Sequence, residues 1–122
     1  MNASTEPRDR CLPLSNAIFH ILLALYDGDK HGYAIMTEAQ EISNGVVRLG
    51  PGTLYGNISK LIDKRFIEES PARPEAADDD PRRRYYRLTN LGKAVTEKEA
   101  QRLHALVQAA RNKSIPYQAK LA

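Results

Sequence analysis

The residues best suited to chemistry lie close together between Gly50 and Arg65. On a helical wheel of ~100° per residue, Leu54, Ile58, Leu61 and Ile62 share one face, and Gly52, Gly56, Ser59, Lys60 and Asp63 lie opposite. Thr53, Asn57 and Lys60 line one side of that polar surface. Asn can pair with adenine through two hydrogen bonds, and Lys can reach guanine or a phosphate. Pro51 suits a helix start because its missing N–H would have no partner there, and the N–H groups around Gly52 and Thr53 suit a phosphate. Glycine inside a helix costs ~1 kcal/mol relative to alanine. Two glycines and a serine on an outward face therefore mark a surface that something must approach closely. A major groove is one such surface. A solvated helix built from poor helix formers is the competing reading of this window.

A second candidate is the run Arg82, Arg83 and Arg84, which directly follows the acidic Asp78, Asp79 and Asp80. The net charge of +3 is too mild to indicate nucleic acid. A basic cluster at a defined place is the better sign of phosphate contact. Side chains alternate along a strand, so the three arginines do not all face one way. Arg83 and Arg84 are favoured over Arg87, which lies deeper in the strand. Asp78 to Asp80 either pair with these arginines in the free protein or point into solvent, and the solvated reading is the simpler.

Other chemistries find little support. His20, His31 and His104 are scattered, and His31 beside Gly32 reads most simply as a turn or cap residue. The single cysteine, Cys11, excludes an intrachain disulfide and fits a cytoplasmic location. No metal-ligand spacing, nucleophile arrangement or phosphate loop is present, so no metal, no cofactor and no enzymatic activity are expected. No apolar run approaches the ~20 residues needed to span a bilayer, and the N-terminus has no secretory signal character.

These residues need elements to hold them. The length of 122 residues fits one domain. Residues 1–13 read as a flexible arm. Residues 14–26 form a first helix with Ile18, Ile21, Leu22 and Leu25 on one face, stopped at Gly28. A second helix runs from His31 to about Ser43 and buries Ile35, Ala39 and Ile42, with Met36 beside them. Val46 to Leu49 is a short β-rich run before the helix that opens at Pro51. Residues 66–70 and 84–88 read as two strands, joined by a polar loop over residues 71–81. Thr89 caps a last helix, which Pro116 ends near Ser114, leaving a loose tail over 115–122. The expected division is a winged helix-turn-helix over 14–90 and a C-terminal helix over 91–114. The fold class is mainly α with a small β-hairpin.

In the last helix, Ala100, Leu103, Val107 and Ala110 recur at coiled-coil spacing, joined by Leu106. A helix of about 25 residues would be ~37 Å long, more than a compact head can cover. Its excess apolar face therefore calls for a second chain. Leu14, Phe19 and Leu23 lie off the main stripe of the first helix and are the expected partners.

Three stretches together resemble the PadR family of transcriptional regulators. They are His31-Gly32-Tyr33, Pro51-Gly52-Thr53-Leu54-Tyr55, and Arg83-Arg84-Tyr85-Tyr86-Arg87-Leu88-Thr89 leading through Leu91-Gly92. The resemblance covers roughly residues 14–95. It implies a dimeric, winged-helix DNA-binding protein, often a repressor, of the smaller subgroup with one C-terminal helix. It also implies that the Tyr33 and Tyr55 hydroxyls meet the DNA backbone. Some family members respond to phenolic acids or flat apolar drugs, so a small aromatic inducer is a further expectation, of unidentified structure. Two departures stand out: the family usually has Gly where Arg65 stands, and a left-handed non-Gly residue costs on the order of 1–2 kcal/mol, so this helix is expected to end differently; and the wing tip from Pro71 to Pro81 is unusually acidic, which counts against a wing that simply clamps phosphate. The expected function is a homodimeric repressor on a pseudo-palindromic operator. The alternative is a winged-helix protein-interaction module that does not bind DNA.

Overall fold

The computed structural model describes residues 11–71 and 82–116. The elements run α1 (Asn16–Tyr26), β1 (Lys30–His31), α2 (Gly32–Ile42), α3 (Pro51–Asp63), β2 (Ile67–Ser70), β3 (Tyr85–Leu88) and α4 (Asn90–Asn112). The strands form one antiparallel sheet in the order β1-β3-β2. Lys30 and His31 pair with Tyr86 and Tyr85, and Ile67 to Ser70 pair with Leu88 to Tyr85. The chain is thus mainly helical with a small sheet, a winged helix-turn-helix.

Caps fix the helix starts. The Ser15 side chain accepts from the Ile18 N–H at 3.2 Å, so α1 begins at Asn16 and not at Leu14. Thr89 accepts from the Gly92 N–H at 3.0 Å, as expected for a cap. The stretch expected as an arm is partly anchored. Cys11 and Leu12 pack against the core, and the Leu14 N–H donates to Glu99 Oε2 at 2.9 Å. Residues 1–10, the loop over 72–81 with Asp78 to Asp80, and the tail over 117–122 lie outside the described residues.

The third strand is a correction. Val46 to Leu49, read from its sequence as a short β-rich run, is instead irregular and forms no strand. Its Val47 N–H donates to Ser43 Oγ at 2.8 Å, so a side chain, not a ladder, satisfies the backbone there. The strand that joins β3 is Lys30–His31, a two-residue piece too short to carry a period.

Ile21, Leu22, Leu25, Ile35, Leu54, Ile58, Leu61, Phe66, Ile67 and Val95 form the core. Two residues expected inside are not. Ile42 is 44% exposed and Ile62 40% exposed. Ile42 is the last residue of α2, where the chain turns away. Ile62 lies beyond the edge of the stripe set by Leu54, Ile58 and Leu61.

The end of α3 resolves the departure at Arg65. Arg65 takes φ +64°; its N–H bonds to Ile62 O, and the Phe66 N–H bonds to Leu61 O. This is a Schellman motif with its apolar contact between Phe66 and Leu61. The helix ends as it would with glycine, and arginine bears the backbone strain. Thr89 Oγ1 donates to Arg65 O at 2.6 Å, which ties the start of α4 to the end of α3. A Cβ on Gly92 would overlap the Phe66 carbonyl, so only glycine permits this crossing.

The first half of α4 belongs to the head. Gly92, Val95, Thr96 and Glu99 are buried. Glu99 accepts from Arg102 Nε at 2.6 Å. That bond chiefly holds its carboxyl below the ordinary value, with the Leu14 N–H adding to it against the opposing effect of burial.

Candidate nucleic-acid interface

The outward face of α3 is bare. A Cβ added at Gly52 or Gly56 would meet nothing within 4 Å. Neither glycine is therefore demanded by packing inside the chain. Thr53 and Lys60 are exposed beside them and Asn57 is half-buried. The three share one flank, and the buried Leu54, Ile58 and Leu61 hold the opposite side of α3 on the core.

Tyr55 projects from the other flank, 48% exposed, and Tyr33 is 66% exposed at the start of α2. The Tyr55 hydroxyl lies over Gly32, where any Cβ would collide with it. This explains the small residue between His31 and Tyr33: it lets the Tyr55 side chain cross the start of α2. An open groove of about 560 Å³ results, lined by His31, Gly32, Tyr33, Tyr55, Arg82, Arg83, Arg84 and Tyr86. Burial first, and then nearby Tyr55 and Glu69, raise the Tyr86 pKa.

The arginines divide by partner. Arg87 faces Glu68 across the β2–β3 pair at 2.8 Å, and Arg84 reaches Glu69 at 3.4 Å with its side chain 71% exposed. Arg83 Nη1 lies 3.3 Å from His31 Nε2. Arg83 and Arg84 thus border the groove, whereas Arg87 is held on the sheet.

His31 was expected to be only a turn or cap residue. It does cap α2, with Nδ1 accepting from the Ala34 N–H at 3.2 Å. It is also buried, 7% exposed, and meets the Tyr85 ring edge-on at 5.3 Å. Arg82 borders the groove with the other two arginines of the expected cluster, whereas the places of His31 and Tyr86 there have no counterpart among the expected contact residues. The only hint was the family-like spacing of the two motifs that contain them.

The seam residues on α4 are left largely uncovered by their own chain. Leu106 is 55% and Val107 40% exposed, while Leu103 and Ala110 are half-buried. Phe19 and Leu23 on α1 are half-buried too; Leu14 packs against its own core. Among the described residues, no group of three His, Cys, Asp or Glu side chains could hold a metal ion, and no helix is long and apolar enough to cross a membrane.

Comparison with known proteins places this geometry. Residues 21–98 match the transcriptional regulator PadR-like family. The chain is 39% identical over 80 residues to an uncharacterized 37.1 kDa protein in transposon TN4556 of Streptomyces fradiae, a match covering 66% of this chain and 21% of that protein. It is 35% identical over 74 residues to uncharacterized protein X of Lysinibacillus sphaericus, covering 61% of this chain and 65% of that one. The matched stretch is therefore about a fifth of the first relative and under two thirds of the second. A PadR family transcription regulator from Clostridium difficile shares the fold, with a TM-score of 0.66 at 24% identity over 80% of this chain and 97% of its own. With the family matched over more than half its length, the chain belongs to the PadR-like transcriptional regulators.

Proposed function

We propose that the protein is a homodimeric repressor that binds a pseudo-palindromic operator in the cytoplasm. The outward face of α3 enters the major groove. Thr53, Asn57 and Lys60 reach base edges and adjacent phosphates, and the Gly52 N–H receives a phosphate at the helix start. Tyr33 and Tyr55 give hydroxyls to the backbone, and Arg83 and Arg84 supply cations from the wing. One observation carries this reading: Gly52 and Gly56 face open space, so their cost to the helix is not repaid inside the chain.

The exposed seam of Leu106 and Val107, with Leu103 and Ala110, pairs with Leu14, Phe19 and Leu23 of the second copy. Two-fold symmetry then sets the recognition helices ~34 Å apart, one turn of the duplex. The test is binding to the DNA upstream of its own gene across a salt series. Affinity should fall steeply as salt rises, because neutralised phosphates release counterions. Affinity that stays flat with salt excludes this contact.

A further inference from the structure

Arg48 lies on the loop that leads into α3, where its guanidinium is held in place by a carbonyl. Val47 packs against the core and Leu49 is buried, so the chain is pinned on both sides of Arg48. The Ser43 hydroxyl adds a third hold, accepting from the Val47 N–H at 2.8 Å. Between these anchors Arg48 is exposed. Its Nε–H donates to the Gly45 carbonyl at 3.1 Å. The turn that presents this carbonyl holds two left-handed residues, Asn44 at φ 53° and Gly45 at φ 83°. A Cβ on Gly45 would stand 3.7 Å from Arg48 Nη2, so the guanidinium rests against the turn. The carbonyl engages the Nε–H alone, which leaves the donors of the Nη edge for another acceptor. Among the described residues Arg48 has no ion-pair partner.

We propose that the Nη edge of Arg48 holds a phosphate of the duplex backbone beside the start of α3. The assignment rests on the DNA-binding reading above and deepens it, by naming a phosphate-contact residue outside both α3 and the wing. Gly50 is the N-cap of α3 and supplies no side-chain cap. Two residues of chain span at most ~7 Å, so the Arg48 backbone stands next to that helix start. A planar fork can give two parallel hydrogen bonds to one phosphate, where an ammonium acts as a point charge. The bond to Gly45 and the anchoring of Val47 and Leu49 order the fork before DNA arrives, which lowers the cost of binding. Phosphate contacts fix register and carry no sequence information directly. Arg48 therefore acts on affinity for every duplex alike, whereas Thr53 and Asn57 act on the choice among them.

The test compares the full chain with Arg48→Ala and Arg48→Lys, on a duplex selected from random DNA and on one of arbitrary sequence, each across a salt series. Arg48→Ala should weaken binding to both duplexes by a similar factor, on the order of tenfold for each chain bound. It should also lower the salt slope by about one for each chain bound. Arg48→Lys should keep the slope, because the charge remains, yet bind both duplexes more weakly than the wild type, because the fork is lost. An arginine that only braces the Gly45 turn predicts a lower melting temperature in both variants and an unmoved slope in Arg48→Ala; that slope overturns the proposal. A loss confined to the selected duplex assigns Arg48 to a base edge and overturns the phosphate contact. Should Arg48→Ala fail to fold, Arg48→Lys decides, and wild-type affinity in that variant overturns the fork. If the wild-type chain binds no duplex, the DNA-binding reading fails and the role of Arg48 fails with it. Wild-type binding with an unchanged slope in Arg48→Ala overturns the Arg48 assignment alone.

Discussion

Gly56→Ala separates stability from binding more cleanly than any other change on α3. The substitution adds one methyl group in the middle of a helix, where glycine is ~1 kcal/mol worse than alanine. The new Cβ meets no atom within 4 Å, so no packing penalty offsets that gain. The variant should be ~1 kcal/mol more stable, with a melting temperature higher by roughly 4 °C when protein concentration is held fixed. Against DNA the same methyl stands where the duplex comes closest. Overfilling a packed contact costs about 1–3 kcal/mol, so operator affinity should fall by roughly 5- to 150-fold. Differential scanning fluorimetry and anisotropy on one preparation measure both quantities. A stabilised variant that binds DNA as well as the wild type refutes the reasoning, because Gly56 would then face solvent in the complex.

Three further outcomes are expected. Arg65→Gly should relieve the left-handed strain at φ +64° and stabilise the fold by ~0.5–1 kcal/mol in urea unfolding, the strain relief being partly offset by the greater entropy of unfolded glycine. Glu99, with its carboxyl held below the ordinary value of 4.5 chiefly by Arg102, contributes stability that is fully present above that value and lost as pH falls through the lowered one; unfolding measured from pH 7 down to pH 3 should show this acid limb, and Glu99→Gln should flatten it and cost ~1–2 kcal/mol at neutral pH, a modest figure because the Arg102 side chain is 35% exposed. Leu106→Glu should leave the monomer fold intact, since the residue is 55% exposed, yet shift sedimentation from dimer to monomer at micromolar concentration; an unchanged dimer places the interface elsewhere.

Much of the fold is legible in the amino-acid order because helix periodicity, caps and turns act over a few residues. Leu54, Ile58 and Leu61 fix which side of α3 is buried, and hence that Gly52, Gly56 and Lys60 point outward. Thr89 marks the start of α4 through a contact three residues long. Ile62 shows the limit of such patterns: the stripe gives a direction, but neighbouring elements decide where burial stops. At Arg65 residue preference pointed away from the left-handed conformation, yet core contacts between Phe66 and Leu61 hold the chain in it.

The candidate site divides along the same line. Thr53, Asn57 and Lys60 share a helical flank, so local geometry alone groups them. His31 and Arg83 stand 52 residues apart, and nothing in their own neighbourhoods draws them together. They meet because a two-residue strand pairs His31 with Tyr85, a pairing with no period of its own. Short-range patterns therefore set which helix is bared towards a partner, while long-range strand pairing sets which cations and ring nitrogens gather beside it.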